Sequence, residues 1–343
     1  MHVHELRQRL RTLGAGPAHE ARVLRQWVRA LPQDAGRRHI AHWLPRAVFS
    51  ALPDLTAELA GLARLQSAHP GGDGSARWLV GLADGQTVEA VLLPRDGLCV
   101  STQLGCAVGC SFCMTGRSGL LRQLSSGEIV AQVVLARSVR PVKKVVFMGM
   151  GEPAHNLDAV LEAIELLGQE GGIAHKQLVF STVGDRRAFE RLPMGRVKPA
   201  LAVSLHSTQA DRRAALLPRA PRFDPAELVD LADAYARHTG YPVQYQWTLL
   251  AGVNDGDDEL DALVPLLRGR HGILNMIPYN AVDGLGFDRP SQDRITAIFR
   301  QLNQQGVLTR MRQSAGQDVQ GGCGQLRART IPLKAVPAAM ADG

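Results

Sequence analysis

The sequence predicts an α/β protein whose parallel sheet curls into a partial barrel. Three observations point there. First, short apolar, β-rich runs recur from about residue 97: LCVSTQ (98–103), KKVVFMGMG (143–151), QLVFSTVG (177–184), ALAVSLH (200–206), QYQWTLLAGVN (244–254) and GILNMIPYN (272–280). Second, segments of helical periodicity lie between them, among them SSGEIVAQVVLARSV (125–139), LDAVLEAIELLGQ (157–169) and PAELVDLADAYARH (225–238). Strand–helix alternation implies parallel strands, because a parallel pair needs a long crossover connection. About six such units fit, fewer than the eight of a closed barrel. Third, the groups GMGE, STVG, SLH and PYN each end an apolar run, where functional residues of such folds gather.

In chain order, residues 1–74 read as a small helical accessory unit whose arginine-rich helices are suited to binding RNA. LRQRLRTL (6–13), EARVLRQWVRAL (20–31) and PDLTAELAGLARL (53–65) place apolar residues three or four apart. HPGGDGSA (69–76) is a turn-rich boundary. Residues 75–96 read as a β-hairpin connector, with two apolar runs flanking Asp84-Gly85. Residues 97–343, which carry the strand–helix alternation and the motifs at its strand ends, read as the catalytic segment.

Composition narrows the class. The 343 residues are 45% hydrophobic and 21% charged, ordinary for a globular chain. No apolar run approaches the roughly 18 residues needed to span a bilayer, and MHVHELRQRLRTLGAG lacks the apolar region of a signal peptide. The expected location is the cytoplasm, with no membrane partner. The net charge of +7 leans toward a polyanion such as nucleic acid, although a basic excess also occurs in proteins that bind none. Five unevenly spaced cysteines suit ligands or catalysts better than a disulfide framework.

Four of those cysteines fall in CVSTQLGCAVGCSFCMTG, residues 99–116, and the fifth is Cys323 in GGCGQL. Cys106, Cys110 and Cys113 form a C-x3-C-x2-C run. A [4Fe–4S] cube usually takes four thiolates, so three leave one iron open to a small ligand. Structural zinc favours a closed tetrahedron, and the nearest histidines in sequence are His69 and His155. Zinc held by a distant ligand and plain packing cysteines are the competing readings.

The cysteine loop, with Phe112 before its last cysteine, resembles the signature of the radical S-adenosylmethionine (SAM) superfamily. GMGEP, at Gly149–Pro153, is similar to that superfamily's second motif. CVSTQLGC, FMGMGEP, SLH at Ser204–His206, IPYN at Ile277–Asn280 and the terminal CGQL at Cys323–Leu326 together resemble the RlmN/Cfr family of radical SAM RNA methyltransferases. The likeness spans about residues 75–330 and uses all five cysteines in order.

The resemblance implies a partial (β/α)6 barrel with one [4Fe–4S] cluster on Cys106, Cys110 and Cys113. It implies SAM contacts at Gly151, Glu152, Ser181, Ser204, Leu205, His206 and Asn280. Carbon 2 of adenine is electron-poor and cannot attack a sulfonium methyl. In the family's chemistry, the cysteine matching Cys323 therefore first takes a methyl from one SAM, and a radical from a second SAM activates it. Cys99 then resolves the protein–RNA adduct through a transient disulfide with Cys323, and Glu89 is the proton acceptor. The expected partners are RNA (23S rRNA, tRNA) and an electron donor of the flavodoxin or ferredoxin type, acting on a monomer. Methylation at carbon 8, or a non-catalytic RNA-binding module with a structural metal, are the alternatives. RMRQSAGQDVQGGC before Cys323 and the basic LLPRAPRF at 216–223 depart from the family's usual segments, which bears on the RNA target.

Overall fold

The computed structural model describes residues 1–35, 40–282 and 284–327. The end of the catalytic segment, from residue 328, lies outside the described residues. Three helices open the chain: α1 (Val3–Thr12), α2 (Pro17–Val28) and α3 (Arg46–Gly61). An antiparallel meander follows, β1 (Ala63–Pro70), β2 (Ala76–Leu82) and β3 (Thr87–Leu93), ending on β4 (Gly97–Cys99).

From β4 the sheet turns parallel. The following elements are β5 (Gln103–Gly105), β6 (Leu120–Gln123), α4 (Ser126–Arg137), β7 (Lys144–Phe147), α5 (Leu157–Gln169), β8 (Leu178–Thr182), α6 (Arg186–Arg191) and β9 (Ala200–Ser204). Then come α7 (Ala210–Leu216), α8 (Pro225–Thr239), β10 (Val243–Leu249), α9 (Asp257–Leu267), β11 (Gly272–Pro278), α10 (Gln292–Gln304) and β12 (Thr309–Met311). The main sheet runs β1-β2-β3-β4-β7-β8-β9-β10-β11-β12, while β5 and β6 form a separate hairpin. Strand neighbours in the parallel part follow chain order, as in a barrel. β1 and β12 are the two edges, so the barrel stays open. The six apolar runs became β4, β7, β8, β9, β10 and β11, each leading to a helix, in the case of β4 by way of the β5–β6 hairpin.

One expected element differs. The stretch Ala63–Leu65, read as the end of the third helix, begins β1 instead. Gly61 ends α3. β2 is buried along nearly its whole length and would otherwise be an edge. Pairing with β1 satisfies its outer backbone groups.

Local signals explain the helix starts. In α4, Ser125 Oγ accepts from Glu128 N–H, and Glu128 accepts from Ser125 N–H at 2.7 Å, a capping box. α8 has Pro225 at its first position, Asp224 as cap and left-handed Gly240 at its end. The N-terminal helices are not a separate body. Leu6, Leu10, Val23 and Leu24 share one continuous hydrophobic core with Ile129 and Val133 of α4 and Ile164 of α5, at about 1.5–3 kcal/mol per large apolar side chain buried. Val3 N–H donates to Ser126 Oγ at 2.8 Å, and Arg137 Nη1 donates to the Val28 carbonyl at 2.7 Å. Covered by these helices on one side and the sheet on the other, α4 is buried nearly all round.

Candidate active site

The cysteine loop hangs between β5 and β6. Gly105, at φ +79°, lies so close to Gly119 that a Cβ would collide with its carbonyl oxygen. The turn into Cys106 therefore requires glycine. Cys106 N–H donates to the Gly119 carbonyl at 3.0 Å, and Cys113 N–H to the Cys110 carbonyl at 3.0 Å. A small apolar cluster apart from the main core wraps the loop: Val108, Phe112, Val183, Leu216, Leu250 and Tyr279. All five cysteines are free thiols, so the disulfide expected between Cys99 and Cys323 is not formed in this structure. Burial pushes the Cys106 thiol up to about 12, raises Cys110 well above its ordinary value and raises Cys113 as well. Each neighbouring thiolate disfavours the next, so a bound metal would have to displace the protons.

The strand tips form the cradle beside this loop. Gly151 sits at φ +106°, and a Cβ there would lie 2.6 Å from Gln103 Cβ. Glu152 N–H donates to Gln103 Oε1 at 2.7 Å. The Glu152 carboxyl accepts from Ala154 N–H and Val183 N–H, each at 3.1 Å, which ties the tip of β7 to that of β8. Burial raises its pKa to about 7 despite those bonds and one from Thr182. Ser181 and Ser204 are half-buried near the ends of β8 and β9. Leu205 is fully buried and faces the core, so only its backbone is available to a ligand.

His206 has a left-handed backbone, φ +58°, unusual for a residue with a Cβ. Its Nδ1 accepts from Thr248 N–H at 3.0 Å, so Nε2 carries the proton. Burial, with Arg213 adding to it, pushes its pKa down to about 3, and the ring is neutral. Phe112 meets it edge-on at 4.9 Å. Asn280 donates from Nδ2 to Ser314 Oγ at 2.9 Å and to the Cys323 carbonyl at 3.0 Å, while its buried Oδ1 has no partner among the described residues.

The two remaining thiols share a cavity. Cys99 ends β4, and Cys323 lies on the loop after β12. Both line a cavity of about 500 Å³ that also reaches Cys113. That loop is anchored over the cysteine loop, with Met114 N–H donating to the Gly324 carbonyl at 2.8 Å and Thr115 Oγ1 to the Leu326 carbonyl at 2.7 Å. Cys99 is buried, which pushes its pKa up to about 12, and a charge on Cys323 would raise it further. Cys323 is exposed. Arg95, Lys144 and Arg312 add positive charge to the cavity wall.

Glu89 points to the same side of β3 as the cavity residues Val91 and Leu93. It is 1% exposed and ion-paired with Arg77, which is equally buried. Its Oε2 accepts from Arg327 N–H at 2.6 Å, and Arg77 Nε donates to the Val319 carbonyl at 2.9 Å. The pair thus holds both ends of the segment that carries Cys323.

Sequence reasoning passed over Arg77 and Arg213. Arg77 had a usable signal: in the hairpin register Arg77 opposes Val91 and Leu79 opposes Glu89, so the two charges are diagonal neighbours on one face. Arg213 was hidden among the four arginines of DRRAALLPRAPR.

The donor set fits the expected groups. Three free thiols on one loop suit iron. A glycine cradle that a Cβ would fill, a buried carboxyl and an orphaned amide oxygen suit an amino acid's ammonium.

Comparison with known proteins gives the same answer. Residues 100–264 match the family model of the radical SAM superfamily. A protein named "Probable RNA methyltransferase azo0122" from Azoarcus sp. (strain BH72) is 68% identical over 337 residues, 98% of this chain and 97% of that protein. A "Probable RNA methyltransferase" from Leptothrix cholodnii is 67% identical over 331 residues, covering 96% of this chain and 95% of its own. Among solved structures, a radical SAM methyltransferase from Sphaerobacter thermophilus is 34% identical, with a TM-score of 0.81 over 96% of this chain and 98% of that one. With nearly full-length likeness in sequence and structure, and with the cysteine loop and glycine cradle in place, the chain belongs to the radical SAM superfamily and, within it, to the RlmN-like family of RNA methyltransferases, enzymes that use a [4Fe–4S] cluster and SAM.

Proposed function

We propose that this enzyme methylates an sp2 carbon of adenine in RNA, carbon 2, through a methyl group carried on Cys323. The observation that carries the reading is the shared cavity: Cys99 and Cys323, far apart in sequence, open onto one space that also reaches Cys113. Ordinary SAM methylation needs no protein thiol.

Cys106, Cys110 and Cys113 hold the cluster in this reading. Gly151, Glu152, Ser181, Ser204, Leu205, His206 and Asn280 hold SAM. When bound, these groups supply a carbon radical that activates the methyl on Cys323. The contrast between the two thiols supports their roles. Exposed Cys323 is open to alkylation, whereas burial keeps Cys99 protonated and a poor nucleophile. Cys99 therefore does not compete for the methyl. Once the methylene carbon has joined the base, the adduct has to give up one electron, for which the oxidised cluster would be the acceptor, and Glu89, ion-paired with Arg77, takes the ring proton. The Cys99 sulfur then attacks the Cys323 sulfur, its proton passes to the departing methylene carbon, the methylated base leaves, and the resulting disulfide is reopened by a cellular dithiol.

Nucleoside mass spectrometry of RNA from a deletion strain tests this. Loss of 2-methyladenosine, restored by the wild-type gene but not by Cys323→Ala, is expected. Loss of 8-methyladenosine instead would assign carbon 8. An unchanged nucleoside profile, with stoichiometric zinc in the purified protein, would mean a binding module.

A further inference from the structure

Arg213 takes no part in the scheme above, yet it is 3% exposed in the middle of the site. It projects from α7, whose end is hydrogen-bonded onto the cysteine loop. Ser111 N–H donates to the Leu216 carbonyl at 2.9 Å, and Arg219 N–H donates to the Val108 carbonyl at 3.2 Å. The Arg213 guanidinium reaches between two strand tips. Its Nη2 donates to the Val183 carbonyl just beyond β8 and, at 3.1 Å, to the Ser204 carbonyl at the end of β9. These bonds go to carbonyls, which leave its charge uncompensated, and its buried Nε has no partner among the described residues. A guanidinium stays charged at neutral pH. Burial pulls its pKa down only to about 10, and the charges of Cys110 and Glu152 act on it in the opposite sense.

We propose that Arg213 is a positioning residue and a fixed counter-charge for the iron–sulfur cluster, making the cluster easier to reduce. This rests on the reading of Cys106, Cys110 and Cys113 as its ligands. One electron from the donor adds one negative charge and changes nothing else. A cation fixed in a dry, low-dielectric place beside Cys110 stabilises the reduced cluster more than the oxidised one. Arg219 is the internal control. Its guanidinium also lies against the cysteine loop, at Gly109, but it is exposed and its charge is screened by water and salt.

The experiment is a redox titration of anaerobically purified, full-length protein, followed by electron paramagnetic resonance, with iron and sulfide content measured alongside. Arg213→Gln should keep its iron and sulfide while its reduction equilibrium moves at least about tenfold toward the oxidised cluster, about 59 mV for one electron. Arg213→Lys, which keeps the charge but not the two-carbonyl bridge, and Arg219→Ala should both stay within about threefold of wild type. An unshifted Arg213→Gln, or equal shifts in the Gln and Lys variants, would overturn the proposal. If Arg213→Gln cannot hold a cluster, Arg213→Met is titrated in its place. If neither neutral variant retains iron and sulfide, Arg213 serves assembly and the counter-charge role is wrong. Wild-type protein without iron and sulfide would overturn instead the ligand reading beneath it.

Discussion

Cys99→Ala and Cys323→Ala should fail at different stages. Cys323→Ala should accept no methyl but keep a full cluster, because the proposed ligands are Cys106, Cys110 and Cys113. Cys99→Ala still adds to adenine, and a covalent protein–RNA species accumulates. Denaturing gels with RNase treatment should show this adduct in Cys99→Ala and none in the double variant; a folded, cluster-loaded Cys99→Ala without adduct refutes the division of labour. Glu152 makes a second prediction. Burial holds its pKa near 7, so below that pH it is mostly protonated before SAM binds. The SAM ammonium favours the carboxylate, so binding should expel a proton and tighten as pH rises from 6 toward 7. Calorimetry in buffers of different ionisation enthalpy reads that proton. Glu152→Gln should lose the pH dependence and weaken binding by about 1.5–3 kcal/mol. The cysteines, Gly151 and Glu152 were legible because their spacing is the signal. The neutral tautomer of His206, the orphaned Asn280 Oδ1 and the Glu89–Arg77 pair were not, since each depends on partners brought together by the sheet.

At the scale of elements, the β5–β6 hairpin is the piece that shapes the cysteine loop. Gly105→Ala places a Cβ against the Gly119 carbonyl at a left-handed φ, a strain of about 1–3 kcal/mol. Its cost should fall on cluster retention, read as iron per chain after desalting, well before global unfolding. A Gly105→Ala protein with wild-type iron would show that the loop can relax. The six main strands could be read because each is apolar and bounded by turn residues. β1 could not, because its helix-like LARL is overruled by pairing with β2. The three-residue β12 is too short for any periodicity and exists through its ladder with β11.

At the scale of the whole molecule, the N-terminal helices share the main core with the barrel, and that changes how they can be tested. Removing them would strip the cover from α4 and α5, so truncation should destabilise the protein. The expected part of residues 1–74 in RNA binding is better probed at Arg46 of α3 and Arg64 of β1, exposed residues with no ion pair among the described residues. If each contacts a phosphate, replacing it with alanine should lower the slope of log K against log salt by about 0.7–0.9. Unchanged slopes in both variants would place the RNA contacts elsewhere. Among the described residues no helix is long and apolar enough to cross a membrane. The anchoring of the Cys323 loop over the cysteine loop, through Met114 to Gly324 and Thr115 to Leu326, carries a last consequence. The ribosome releases the three clustered cysteines long before it releases Cys323. The nascent chain thus exposes its metal-binding loop while the cover is still unmade, and iron–sulfur insertion has its widest access then. In the proposed scheme the thiol that takes the methyl is therefore the last of the five to leave the ribosome.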